Sequence, residues 1–466
     1  MAAASRQLAG LAGPYLAKQR WFARGDGDGP PALDLLDSAV LIDGPPSVLW
    51  MLVRAGTAEY QLLVGLRPPD DDVDFLSGRD EALLGRIDEP AGWVAYDALV
   101  DNALTVELLR VVSENRVRAE RARLITSEQS NTSVVFDERL IAKVFRRVRP
   151  GPNPDIEVSF ALDRVGFNHI PTPIAVWRRP GHDLVFVQQF LAGGTDGWAL
   201  ALTSLRDLYA ASTETSPAGG IGGGSVPGTR STDPGTTPAE LGGDFAFEAH
   251  RLGLVTARLH LAMAEAFDRR PGRADAWAGT IERELGPIAS EGLDPRAARD
   301  VVDRLRHAKD PGLEIRVHGD YHLGQVMRTD TGWFVLDFEG EPARPVEERA
   351  APWSPLKDVA GMLRSFQYAA AAALNERGEP ERTEALYALG GAWEMHNRGA
   401  FLDGYRSTRG ISELVPGDDE SFDAVLAAFE LEKAIYELAY ELAYRPDWAL
   451  IPRAALERIL SERGTS

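Results

Sequence analysis

Residues 317–341 read V-H-G-D-Y-H-L-G-Q-V-M-R-T-D-T-G-W-F-V-L-D-F-E-G-E. Two short apolar runs, Ile315 to Val317 and Trp333 to Leu336, each end in acids: His318-Gly319-Asp320 after the first, Asp337-Phe338-Glu339 after the second. Gln325 lies between them, at the fifth position after Asp320. Phosphoryl transfer to a hydroxyl asks for this set. One carboxylate takes the hydroxyl proton, a second holds Mg²⁺, and an amide or carboxylate between them completes the metal shell. Asp320 is read as the catalytic base that meets the acceptor hydroxyl. Gln325 and Asp337 are read as metal ligands, with Glu339 on a second ion. A lone Asp-Phe-Glu carries no information, but all three signals fall within one hairpin-sized window.

Protein kinases write the same order as H-R-D-x-x-x-x-N followed by D-F-G. Here it is H-G-D-x-x-x-x-Q followed by D-F-E. The expected fold is α+β: bilobal and protein-kinase-like, with an N-terminal α/β cap domain and a mostly helical C-lobe. ATP is the expected phosphoryl donor.

Upstream, Ser133 to Phe136 and Leu140 to Phe145 flank Asp137-Glu138-Arg139, which predicts a hairpin. Before it, S-E-Q-S-N-T-S (127–133) offers hydroxyls, an amide and backbone N–H groups. Ser127, Ser130, Asn131, Thr132 and Ser133 are expected to cap phosphate oxygens. Lys143 sits in the apolar strand I-A-K-V-F, where a buried cation needs an anion. It is read as the phosphate-binding lysine; the alternative is an edge-strand solubilising residue. Asn153-Pro154-Asp155 opens a helix in which Glu157 is the expected ion-pair partner of Lys143, a role compatible with that of a first-turn acid. By order along the chain, the adenine-binding hinge is placed at Val187 to Phe190, with Gln188 and Phe190 beside the nucleotide.

The chain divides into a cap domain (1–104), a nucleotide-binding N-lobe (105–192) and a helical C-lobe (193–466). The Gly-, Pro-, Ser- and Thr-rich stretch 213–242 reads as a flexible insertion. With 466 residues and a net charge of −20, the protein is expected to repel nucleic acid and anionic membrane. Cysteine is absent, which excludes disulfides and thiol nucleophiles. Neither a signal peptide nor a membrane span is read, so a cytoplasmic location is expected.

Near the end, Ala427 to Glu441 forms a helix on which Glu430, Lys433, Tyr436 and Tyr440 fall within an arc of about 120°. Aromatic faces beside charged hydrogen-bonding groups suit a sugar; the alternative is a helix packed by its tyrosines.

Several strings together resemble the actinobacterial maltokinases, within the aminoglycoside-phosphotransferase-like kinases. They are S-E-Q-S-N-T-S (127–133), I-A-K-V-F-R-R (141–147), N-P-D-I-E (153–157) and G-G-D-F (242–245). H-G-D-x-H-L-G-Q-V (318–326), D-F-E-G-E-P (337–342), S-P-L-x-D-V-A-G-M-L-R-S-F (354–366) and R-P-D-W (445–448) complete the set. The resemblance implies phosphorylation of maltose at its anomeric hydroxyl by ATP, giving maltose 1-phosphate for α-glucan synthesis. It also implies a monomer, associated with a trehalose/maltose-interconverting enzyme, and places Lys433, Tyr436 and Tyr440 on a maltose-contacting helix. Tyr321 stands where leucine is usual, and the 213–242 insertion is long. Glucosamine kinases tend toward D-F-D-G-N-P. A cationic acceptor such as glucosamine or an aminoglycoside wants a carboxylate-lined pocket, against which Lys433 argues; a non-catalytic scaffold is the other alternative, against which the intact set Lys143, Asp320, Gln325 and Asp337 argues.

Overall fold

A computed structural model describes residues 2–22, 30–125, 131–214, 243–286, 290–341, 346–377 and 384–461. Ser127 and Ser130, and residues 215–242 of the expected insertion, lie outside them.

The first of two compact units comprises residues 1–160 and 171–192. It contains two antiparallel sheets. One joins β1 (Asp34–Ile42), β2 (Ser47–Ala55), β3 (Ala58–Arg67), β4 (Leu83–Ile87) and β5 (Trp93–Asp97) in the order β1-β2-β3-β5-β4. The other joins β6 (Ala122–Ile125), β7 (Asn131–Phe136), β8 (Leu140–Phe145), β10 (Pro173–Arg179) and β11 (His182–Gln189) in the order β10-β11-β8-β7-β6.

Alternation along β2 explains why it is apolar throughout. Val48, Trp50 and Leu52 join a core shared with Val134, Phe145 and Phe186 of the second sheet. Leu49, Met51 and Val53 face the other way, onto Leu8, Ala12 and Leu16 of the helix Ala2–Leu16. With both faces buried, a strand has no polar side to show. Gln61 joins the sheets: its side chain donates to the carbonyl of Phe145 at 2.7 Å and accepts from Trp50 Nε1 at 3.2 Å. The two-residue strand β9 (Arg147–Val148) also pairs with β3. The two sheets therefore share one core.

The second unit, residues 161–170 and 193–466, is mainly helical. Its longest helices are Gly197–Glu214, Ala246–Ala266, Leu356–Asn375, Glu384–Ser407 and Asp419–Tyr444. A small sheet joins β12 (Thr195–Asp196) to a hairpin. Two further two-residue strands, β13 (Arg270–Pro271) and β14 (Leu313–Glu314), pair with each other. The hairpin, β15 (Val326–Thr329) with β16 (Gly332–Val335), pairs Val326 with Val335. That register puts Gln325 opposite Leu336, and the Leu336 amide donates to the Gln325 carbonyl at 2.9 Å. Gln325 and Asp337 are thereby brought to one end of the hairpin. Among the described residues no helix is long and apolar enough to cross a membrane.

Candidate active site

The loop carrying Asp320 is held by a buried carboxylate. Asp358, 2% exposed, accepts the amides of His318 at 2.8 Å and Gly319 at 2.9 Å. His260, itself fully buried, lies 3.2 Å from the same carboxylate and hydrogen-bonds Tyr405 Oη at 2.8 Å through its other nitrogen. Burial would raise the Asp358 carboxyl, but His260 and the backbone donors outweigh it and hold it low. Gly319 turns at φ +84°, a conformation that disfavours a side chain. His318 Nδ1 accepts the Asp320 amide at 3.3 Å, so its Nε2 carries the proton donated to the Leu336 carbonyl at 2.9 Å. That bond ties the Asp320 loop to the residue before Asp337.

Tyr321 fits this frame. It is 2% exposed, and its hydroxyl donates to Thr256 Oγ1 at 2.9 Å while Thr256 donates to the Leu252 carbonyl. A tyrosine at this position is a satisfied core residue.

Asp320 has two cationic or polar neighbours, Lys433 Nζ at 3.8 Å and His322 Nε2 at 3.7 Å. Burial pushes its carboxyl up, yet His322 and Lys433 win and hold it well below the usual carboxylate range. Lys433 is held in turn by Glu341 at 2.6 Å, which keeps its ammonium protonated despite burial. His322 and Glu341 were not singled out from the sequence. Their only signal is membership of the strings around the two acids.

Asp337 occupies the left-handed region at φ 62°, a conformation that costs an L-residue about 1–2 kcal/mol. Its Oδ2 accepts from Gln325 Nε2 at 3.3 Å. An amide and a carboxylate are the hard oxygen donors Mg²⁺ takes, and for a nucleotide-bound ion phosphate and water complete the shell. Among the described residues, no group of three or more His, Cys, Asp or Glu could hold a metal ion. Glu339 is half-buried, and its backbone carbonyl accepts from Arg349 at 3.4 Å.

In the first unit, Lys143 is not an edge residue. It lies on β8 between β7 and β11, opposite Ser133 and Phe186. Its ion-pair partner is Asp155, with Nζ to Oδ2 at 2.7 Å, and this corrects the expected pairing with Glu157. The helix Pro154–Arg164, capped by Asn153, places residues two apart on opposite faces. Asp155 is therefore buried and Glu157 exposed. Thr132 Oγ1 accepts from Arg146 Nε at 2.7 Å, Ser133 is fully buried, and Asn131 opens β7.

The stretch expected to be the hinge, Val187 to Phe190, closes β11. Val187, Gln188 and Gln189 belong to β11, and the amides of Gln189 and Phe190 donate to the carbonyls of Thr172 and Arg139. Those two amides are committed to neighbouring backbone and are not presented to a base edge.

A cleft of about 540 Å³ opens beside Asp320 within the second unit. It is lined by Trp198, His322, Tyr368, Lys433, Tyr436, Glu437, Tyr440, Glu441, Arg445 and Trp448. Glu437 accepts two bonds from Arg364, at 2.9 and 2.6 Å, and Glu441 two from Arg445, at 2.9 and 2.6 Å. Glu430 does not join the cleft lining. It is 5% exposed and forms a two-pronged pair with Arg398, because it lies one turn before Lys433 on the side of the helix facing Glu384–Ser407.

A half-buried carboxylate beside an open cleft, an amide–carboxylate pair at a hairpin end and a strand lysine paired with an acid are groups of the kind a small-molecule phosphotransferase uses. Residues 15–101 match the maltokinase N-terminal cap domain, and residues 233–390 the phosphotransferase enzyme family. The chain belongs to that phosphotransferase family and carries a cap of the maltokinase type. It is similar to a glucosamine kinase of Mycolicibacterium smegmatis, 30% identical over 365 residues, covering 75% of this chain and 82% of the relative. A glucosamine kinase of Streptacidiphilus jiangxiensis is 29% identical over 369 residues, covering 74% and 75%. The solved structure of a glucosamine kinase in complex with glucosamine, ADP and inorganic phosphate shares the fold, with a TM-score of 0.65 at 23% identity over 97% of this chain and 98% of that one.

Proposed function

We propose that the protein transfers the γ-phosphoryl group of ATP to the anomeric hydroxyl of maltose, giving α-maltose 1-phosphate and ADP, a product suited to α-glucan synthesis. The observation that carries the choice of acceptor is the charge balance of the cleft. Glu437 is matched by Arg364, Glu441 by Arg445, and Asp320 faces Lys433 and His322. An ammonium group entering this cleft meets carboxylates already satisfied by basic groups, whereas the hydroxyls of a neutral sugar can share those hydrogen bonds. Glu341 neutralises Lys433, so Lys433 alone does not repel a cationic acceptor. The matched carboxylates take its place. A cleft of about 540 Å³ with aromatic walls also exceeds what one hexose fills.

In the mechanism, Asp320 accepts the C1 hydroxyl proton as the new P–O bond forms and the bond to ADP breaks. A carboxylate held this low is a weak base, so it takes the proton only as attack makes the hydroxyl acidic, which suits a loose transition state. Lys143, fixed by Asp155, offsets the charge of the α and β phosphates. Gln325 and Asp337 would hold Mg²⁺, which when bound neutralises charge on the β and γ phosphates. Lys433 positions Asp320, while Tyr436 and Tyr440 present ring faces to the sugar. Most of the acceleration comes from positioning and charge neutralisation.

A second reading, an amino-sugar acceptor, is favoured by the names of the similar proteins. ADP release with Mg-ATP and maltose, glucose, glucosamine or an aminoglycoside separates the two. Turnover confined to maltose supports the proposal, and turnover confined to an amino sugar overturns it.

A further inference from the structure

Three tyrosines on one side of the helix Asp419–Tyr444 run outward from the acceptor cleft. Tyr436, Tyr440 and Tyr444 are spaced by four residues, so each advances about 6 Å along the axis and about 40° around it. The row begins near the proposed catalytic base: Lys433, just before Tyr436, lies 3.8 Å from Asp320, and its ammonium sits 5.1 Å from the Tyr436 ring centroid. Exposure rises outward, from half-buried Tyr436 to Tyr440 at 44% and Tyr444 at 72%. The rings of Tyr440 and Tyr444 lie 4.8 Å apart at 41°. The Arg445 guanidinium lies 5.6 Å from Tyr440 and 5.1 Å from Trp448, fixed by its two bonds to Glu441.

Tyr436 and Tyr440 line the cleft and the exposed Tyr444 packs against Tyr440, so the aromatic surface continues past the cleft lining, as a binding surface does. Their spacing approximates the length of one hexose unit, and their flat faces match the C–H faces of pyranose rings. The acid lies at the inner end and the outer end is open. A linear sugar chain therefore enters with its reducing end inward and its other end toward Tyr444.

We infer that the cleft continues into an open subsite on Tyr444 that takes a third glucose unit, so that short linear α-glucans such as maltotriose are phosphorylated at their reducing-end anomeric hydroxyl. This rests on the maltose reading of the same cleft.

The test compares maltose and maltotriose on the full-length protein and on Tyr444→Ala, by Mg-ATP turnover and by calorimetric titration. Maltotriose is expected to be turned over with a kcat/KM within about tenfold of maltose. The maltotriose-to-maltose ratio should fall about tenfold in Tyr444→Ala, the worth of one aromatic stacking contact. Tyr444 is exposed, and an unchanged melting temperature confirms that the variant folds. The subsite is overturned, and the maltose reading survives, if maltose is turned over but the ratio does not move or maltotriose neither reacts nor binds. If only an amino sugar reacts, the acceptor reading falls. Titration then decides the subsite: maltotriose binding weakened about tenfold by Tyr444→Ala upholds it, and unchanged or absent binding overturns it.

Discussion

Lys143 Nζ and Asp155 Oδ2 lie 2.7 Å apart, while Glu157, one half-turn further along the same helix, faces solvent. The pair joins a strand inside the second sheet to the first turn of the helix that follows it, so it fixes where the ammonium sits. Asp155→Asn is expected to raise KM for ATP about tenfold and to destabilise the protein by about 1–3 kcal/mol, as expected when a buried charged group loses its partner. Glu157→Gln, at an exposed position, should change stability by no more than about 0.5 kcal/mol and leave KM near its original value. Nucleotide titration and thermal melts of the two variants distinguish them.

Lys433 helps His322 hold the Asp320 carboxyl low against its burial. Removing the cation in Lys433→Met disfavours the charged form, so the carboxyl rises and is protonated at higher pH. Base function requires the deprotonated form. The acidic limb of the kcat/KM profile should therefore move to higher pH in this variant. No shift, or a shift to lower pH, would show that Lys433 does not set the charge of Asp320.

Asp358 should act through position. It touches the amides of His318 and Gly319 and His260, and it does not line the acceptor cleft. Asp358→Asn is expected to lower kcat by about 10–100-fold with little change in KM for either substrate, because misplacement of the loop is felt mainly in the transition state. Its carboxyl is held below the ordinary value near 3.9, so its contribution to stability is present above that pH and is lost as pH falls below it. Acid unfolding curves of the variant should accordingly fall less steeply at low pH than those of the parent.

Glu430 gives the converse case. Paired with Arg398 and buried, it should support the fold and not the acceptor. Glu430→Gln is expected to cost about 1–3 kcal/mol in a denaturant titration while KM for the sugar stays within about twofold. A large rise in KM at unchanged stability would return Glu430 to the sugar site.

The catalytic hairpin was legible because its chemistry is local. Gln325 and Asp337 flank one strand pair and Asp320 lies in the loop that leads into it, so their spacing along the chain carries their geometry. The strand of Lys143 was equally plain, since a lysine among apolar residues must find an acid. Which acid it found was not, because Asp155 and Glu157 both sit in the first turn and only the rotation of the helix against the sheet decides between them. Glu430 failed for the same reason: a 120° arc drawn around a helix does not say which half of it faces the cleft. The hinge was placed by order along the chain, and order does not reveal that the Phe190 amide is already taken by Arg139. The Glu341–Lys433 pair joins residues 92 positions apart and could be found only in the folded chain. The core shared by the two sheets was hidden likewise, because Trp50 and Trp177 meet through packing that leaves no periodic mark linking their segments.

The central claim is transfer to an anomeric hydroxyl with Asp320 as base, and phosphorus NMR of the product formed from Mg-ATP and maltose tests it most directly. A phosphate coupled to the anomeric proton of the reducing-end ring is expected, and Asp320→Asn should make that product about 10²–10⁴ times more slowly while still binding ATP. A phosphate on any other hydroxyl, or near-normal turnover in Asp320→Asn, would contradict it.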